Sequence, residues 1–163
     1  MESVKNVKFV NKSPNVDPYY KYEGDSGFDL RAWIKKEDSN SVNSKGEPTI
    51  TLRPLERRLI HTGLYFILPT YTELQVRPRS GMALNHGLSV VNTPGTVDNK
   101  YTGEVCVIAI NLSNEVIEIN NGDRIAQAVL CPVYCKELVT LENVDKIEDT
   151  ERGQNGFGST GTE

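Results

Sequence analysis

At 163 residues, with 37% hydrophobic and 25% charged residues, the chain is long enough for one domain with a modest core. A formal net charge of -4 and a pI of about 5.3, with no basic stripe to offset them, argue against general nucleic-acid binding. No apolar run approaches the roughly 20 residues of a membrane span, and Met1-Glu2-Ser3-Val4-Lys5 lacks the apolar core of a signal peptide. Three cysteines, an odd number, make no disulfide framework, and Cys131 and Cys135 have neither His61 nor His86 beside them in sequence. Buried, reduced thiols in a cytoplasmic protein are the expectation, with no zinc site at that pair.

Val4 to Val10 reads as a first strand, followed by a loop through Ser13-Pro14-Asn15-Val16-Asp17-Pro18. After Tyr19-Tyr20-Lys21-Tyr22, Phe28 and Leu30 alternate with Asp29 and Arg31 as in a half-buried strand. Residues 35–48 are polar throughout and predict a surface loop with no structure of its own. Ile50 and Leu52, then Leu55 to Leu68, then Leu74 to Arg77 have strand patterns. Ser80 is the expected N-cap and Gly87 the expected stop of the one helix worth naming. Val105 to Leu112, apolar on both faces, predicts a buried strand, and Val116 to Ile119 and Ile125 to Val133 follow across turns. Many short strands between turn signals predict an all-β barrel or jelly roll. The Gly-rich end is expected to be a flexible tail, since Phe157 is its one large apolar group.

The chain is organised around residues 92–104, Asn92-Thr93-Pro94-Gly95-Thr96-Val97-Asp98-Asn99-Lys100-Tyr101-Thr102-Gly103-Glu104. It predicts a β-hairpin turning at Asp98-Asn99-Lys100 and returning through Tyr101, with Gly95 and Gly103 as bare backbone that a ligand could approach. The plain alternative is an ordinary polar hairpin tip. Four further stretches punctuate the chain: residues 25–32 (DSGFDLRA), 77–83 (RPRSGMA), 121–127 (NGDRIAQ) and 152–161 (RGQNGFGSTG). In order and spacing these five resemble the motifs of the trimeric dUTP diphosphatases (dUTPases) of bacterial or phage type, from about Asp25 to the C-terminus.

The resemblance implies a dUTPase-like distorted β-barrel or jelly roll over residues 1–150 and a mobile motif at 151–163 that completes a neighbouring subunit's site. It implies hydrolysis of dUTP to dUMP and pyrophosphate, which keeps uracil out of DNA and supplies dUMP for dTMP synthesis. Asp98 matches the carboxylate that activates the attacking water, and much of its effect would be positioning. Tyr101 matches the ring that lies beneath the deoxyribose and excludes a ribose hydroxyl. Backbone groups of Gly95, Thr96, Val97, Val105 and Cys106 would read the uracil edge, with Asn92 near it through water. Arg79, Ser80 and Gly81 fall to the phosphates, a short helix start adding N–H groups to a guanidinium. Gln127 is a further phosphate candidate. Asp123 and Arg124 are expected to be structural, a pair holding the turn or the subunit interface. Mg2+ is the expected cofactor, held mainly by phosphate oxygens, with Asp29 reaching it through water. Arg152, Ser159 and Thr160 resemble a γ-phosphate clamp, and Phe157, with Gly158 beside it, the cover over the uracil; Asn155 stands where many relatives have glycine. The implied partners are dUTP and two further copies in a homotrimer, with no nucleic acid and no membrane. A dCTP deaminase would share the fold class, and a phage-encoded chain could also capture a regulatory protein, for which the insert at 35–48 is the candidate surface.

Overall fold

The computed structural model of the chain describes residues 5–154 and 156. It comprises two units, one up to Val133 and one from Tyr134 onward. The first holds β1 (Lys8–Asn11), β2 (Gly27–Arg31), β3 (Ser41–Val42), β4 (Pro48–Leu52), β5 (Arg57–Ile67), β6 (Thr72–Arg77), α1 (Ser80–His86), β7 (Leu88–Val90), β8 (Gly95–Val97), β9 (Val105–Asn111), β10 (Ile117–Ile119) and β11 (Arg124–Pro132). The second shows only turns among its described residues, one where Leu138 and Val139 donate to the Cys135 carbonyl and one closing on Thr150–Gly153. The expected all-β class with one short helix is what forms.

The strands make three sheets, ordered β1-β5-β9-β7, β10-β4-β3 and β2-β11-β6-β8, and do not close into a barrel. All the pairings are antiparallel. Alternation fixes which face is buried: Phe28 and Leu30 on β2, Leu74 and Val76 on β6, and Val105, Val107 and Ala109 on β9 enter one core. Ile60, Leu64 and Phe66 of β5 complete it. The expectation that β9 is buried on both faces does not hold. Cys106 and Ile110 are half-buried and Ile108 is exposed, so its second face stays open within one chain.

Three other expectations are corrected. The first strand begins at Lys8, because its ladder runs only from Lys8↔Ile67 to Asn11↔Leu64 and residues 5–7 lie outside it; Val4, the expected start, lies outside the described residues. The insert at 35–48 does fold: Ser41 and Val42 pair with Thr49 and Pro48. Its turn is held by Asn43, whose Oδ1 accepts from the N–H groups of Lys45 and Glu47 and whose amide donates to Glu47 and Asn120. An Asn that closes a turn on its own backbone gives order without apolar residues, which hydrophobic patterning does not reveal. Finally, Ser80 is the first helical residue; Arg79 is the N-cap, extended at φ -90 and ψ 130 with no side-chain cap. Gly87 ends α1 as expected, at φ 68.

Asn111 ends β9 fully buried, where its amide donates to the carbonyls of Leu52 and Glu115 and its Oδ1 accepts from the N–H and hydroxyl of Ser113. Replacing it with Ala leaves the buried Leu52 carbonyl without that donor and removes the bonds that hold the turn at Ser113 and Glu115. Asn111→Ala should lower the unfolding free energy by about 3 kcal/mol, read by urea denaturation followed by fluorescence.

Candidate functional site

The stretch 92–104 forms its turn, with Tyr101 N–H donating to the Asp98 carbonyl at 3.0 Å, but it is not a paired hairpin. β8 pairs with β6 in one sheet, whereas β9 pairs with β5 and β7 in another. β5 holds one edge of β9, and β7 holds the other only from Ala109 to Asn111. The chain crosses from sheet to sheet between Val97 and Val105. Asn99 pins the crossing by donating its amide to the carbonyls of Leu68, at 3.0 Å, and Pro69.

A cleft of about 300 Å3 opens along this crossing. It gathers Asn92, Gly95, Thr96, Val97 and Asp98 from the incoming arm and Tyr101, Val105 and Cys106 from the outgoing one. Asp98 is exposed, and its carboxylate has no partner among the described residues. The Tyr101 ring lies across Gly103, where an added Cβ would strike it, and its hydroxyl donates to the Glu104 carbonyl at 3.1 Å. Over Gly95 sits the Asn92 amide, 3.1 Å from where a Cβ would be. Gly95 lines the cleft, and its missing Cβ makes room for the Asn92 amide as that of Gly103 does for the Tyr101 ring.

Arg79, Ser80, Gly81, Gln127 and Asp29 line a second cleft, together with Lys21 and Arg124. Asp29 is its centre: Oδ1 is 2.7 Å from Arg79 Nε and Oδ2 is 3.3 Å from Arg124 Nη1. Arg79 also donates to the Arg124 carbonyl at 3.3 Å. Gln127 lies opposite Asp29 and Arg77 on the neighbouring strands and donates to the Pro78 carbonyl at 2.8 Å, which ties β11 to the approach of α1. Asp123 and Arg124 do not bond each other: Asp123 holds the turn, as expected, by accepting from the Asn120 N–H at 2.7 Å, while Arg124 turns to Asp29. Adjacent residues on a strand start face opposite sides, which explains the split.

Sequence reasoning passed over His61 and Glu104. Glu104 Oε1 accepts from the N–H groups of Thr62 and Gly63 at 3.1 and 2.7 Å, and Oε2 lies 2.9 Å from His61 Nδ1. Burial pushes the Glu104 carboxyl up, but these donors and the nearby imidazole outweigh it, and the net position is below the ordinary 4.5. Cys106 Sγ is 3.6 Å from the same Nδ1. Burial, with the Glu104 charge next, pushes its thiol up to about 11. The three cysteines are free and half-buried rather than fully buried. His61, Glu104 and Cys106 also have ligand-type atoms within 4.8 Å of one another. Oε1 accepts two backbone N–H groups and Oε2 faces the imidazole, so the three side chains form one hydrogen-bonded cluster. An acidic residue at the mouth of an apolar strand was the signal available in the sequence.

Arg152 is described, in the second unit; Asn155, Phe157, Gly158, Ser159 and Thr160 lie outside the described residues, as does most of the tail expected to be flexible. The sequence model of the dUTPase family matches residues 42–161. The chain belongs to the dUTPase family. The deoxyuridine 5'-triphosphate nucleotidohydrolase of Treponema denticola is 50% identical over 144 residues, which cover 88% of this chain and 90% of that protein. That of Cytophaga hutchinsonii is 44% identical over 155 residues, covering 95% and 91%. Among solved structures, the dUTPase of Staphylococcus bacteriophage 80alpha with dUPNHPP has a TM-score of 0.77 at 22% identity, covering 96% of this chain and 99% of that one. A mutant dUTPase of the S. aureus phage phi11, described with a structural Mg(II) ion, has a TM-score of 0.66 at 20% identity, covering 86% and 99%. As a dUTPase the chain is a hydrolase of nucleotide metabolism that acts on dUTP, which separates it from dCTP deaminase.

The Glu104 contacts have a pH signature. A carboxyl titrating lower in the folded state contributes stability that is complete above its unfolded value and is lost as the pH falls through the folded one. Glu104→Gln should therefore be less stable than the parent at neutral pH, and the gap should narrow as the pH falls below the ordinary 4.5 in urea titrations.

Proposed function

We propose that the chain hydrolyses dUTP to dUMP and pyrophosphate, keeping uracil out of DNA and supplying dUMP for dTMP synthesis, in sites each shared by three copies. The carrying observation is that the nucleoside candidates and the phosphate candidates line two different clefts of one chain. A nucleotide spanning both sets needs the first cleft of one copy against the second cleft of another, with the tail of a third over them.

Asp98, exposed at the turn, aims a water at the α-phosphorus and accepts its proton, while the pyrophosphate leaves on the opposite side. The Tyr101 ring rejects a ribose hydroxyl, which would find neither space nor a partner against it. Backbone groups at Gly95, Thr96, Val97, Val105 and Cys106 accept and donate to the uracil edge, with Asn92 reaching it through water. Arg79, with the first N–H groups of α1 at Ser80 and Gly81, meets the phosphates; Gln127 supports them. Arg152, Ser159 and Thr160 clamp the γ-phosphate, and Phe157 with Gly158 covers the base.

Magnesium fits this arrangement as a cation held by phosphate oxygens and water. Asp29 is the carboxylate amid the phosphate candidates, and its two arginine partners favour an outer contact through water over direct ligation. When bound, the ion neutralises triphosphate charge. The enzyme works in the cytoplasm on a free nucleotide, with neither nucleic acid nor membrane as a partner; no helix of the described residues is long and apolar enough to cross a membrane. The insert at 35–48, the surface a protein-capturing role would use, packs in part onto Asn120 of its own chain.

Two experiments test this reading by pyrophosphate release. Asp98→Asn should bind dUTP yet turn over at least about 100-fold more slowly; near-normal turnover would move the base elsewhere. Reassembling Asp98→Ala chains with chains ending at Asp149 should restore about one quarter of the parental activity, because about three quarters of random trimers are mixed and each has one complete site of three. Zero recovery from verified mixed trimers would reject the shared site.

A further inference from the structure

β5 carries an irregularity where it meets β9: Ile60 pairs with Val107 and Leu64 with Val105, so four steps on one strand face two on the other. The three residues between, His61, Thr62 and Gly63, stand opposite Cys106 alone and have backbone groups the ladder cannot satisfy. Their carbonyls are used by other segments, His61 by the Trp33 N–H and Gly63 by the Lys12 N–H, both at 2.8 Å. Gly63 has φ +73, and a Cβ there would sit 2.7 Å from the Ser13 nitrogen and 2.9 Å from the Trp33 ring, so the bulge has one residue type open to it. The N–H groups of Thr62 and Gly63 are left to Glu104. That residue is the last of the sheet-crossing loop, and its own carbonyl receives the Tyr101 hydroxyl. A rigid bulge is thereby connected, through one side chain, to the aromatic ring of the nucleoside cleft.

We infer that Glu104 is a positioning residue that sets the preference for a deoxyribose over a ribose nucleotide, by tying the outgoing arm of the loop to the β5 bulge and so fixing the Tyr101 ring. The inference rests on the reading of Tyr101 as the sugar check. Tyr101 is about half exposed and packs on Gly103, which offers no side chain to steady it, so its place depends on the backbone at Glu104. With the anchor gone the ring yields, and a 2'-hydroxyl is no longer refused. Methods of rejecting a hydroxyl by shape depend on a wall that does not move.

The test is the ratio of kcat/KM for dUTP to that for UTP in the parent, Glu104→Ala, Glu104→Gln and Tyr101→Ala, with melting temperatures measured alongside. Glu104→Ala should lower the ratio by about tenfold or more, chiefly through KM. Glu104→Gln, whose amide oxygen can accept the same two N–H groups, should keep most of it. If Glu104→Ala does not fold, Glu104→Asp carries the test, since it keeps the charge but withdraws the oxygens from the bulge, and it too should lose the preference. A lower melting temperature with an unchanged ratio would mark Glu104 as structural only and overturn the inference, provided Tyr101→Ala loses the preference. An unchanged ratio in Tyr101→Ala would overturn the sugar-check reading and the inference together.

Discussion

The arrangement depends on β8 pairing with β6 and not with β9. β5 is hydrogen-bonded along one side of β9, while β7 takes the other side only from Ala109 to Asn111, which leaves that edge at Val105 to Val107 facing the cleft. β8 satisfies its backbone on β6 in another sheet, since unpaired strand groups away from water are costly. The seven residues between β8 and β9 then have to bridge two sheets instead of turning tightly between paired strands. The cleft that gathers Asp98 and Tyr101 is the space this bridging leaves, and its walls are the diverging arms. Pins such as Asn99 on the Leu68 carbonyl are needed because a crossing loop has no ladder of its own to hold it.

The order and spacing of the polar motifs made the family and the membership of both clefts legible in the sequence. What stayed illegible was long-range pairing. Residues 92–104 have the local chemistry of a hairpin, with Asp98 and Asn99 at a turn that does form, yet the choice of partner strand is decided by β5, β6 and β7, which lie elsewhere in the chain. Asn43 ordered the polar insert through side-chain bonds that no periodicity reports. Arg124 sits next to Asp123 in sequence but pairs with Asp29, 95 positions away. Glu104 escaped notice for a like reason, since its acceptors serve a bulge more than forty residues earlier, and a bulge leaves no mark in hydrophobic patterning.

The open face of β9 fits the same logic. Alternation buries Val105, Val107 and Ala109 and leaves Cys106 and Ile108 facing outward, and the cleft is lined by Cys106, Ile108 and, from the buried set, Val105. One strand thus serves both the core and the nucleoside cleft, and Val105 belongs to both.

The ion pairs around Asp29 carry a consequence for which anions the second cleft admits. Two guanidinium groups left alone at such close quarters would repel each other and wander among rotamers, and any small anion could settle between them. Asp29 already occupies that position as an internal counter-ion, at 2.7 Å from Arg79 and 3.3 Å from Arg124. Entry of an external anion is therefore an exchange, in which the newcomer competes with a tethered carboxylate for the same donors. A singly charged ion from the surrounding salt gains little by that exchange. A chain of linked phosphates, able to engage several donors at once, gains at each of them. The carboxylate acts as a threshold, setting the minimum multivalency a ligand must bring.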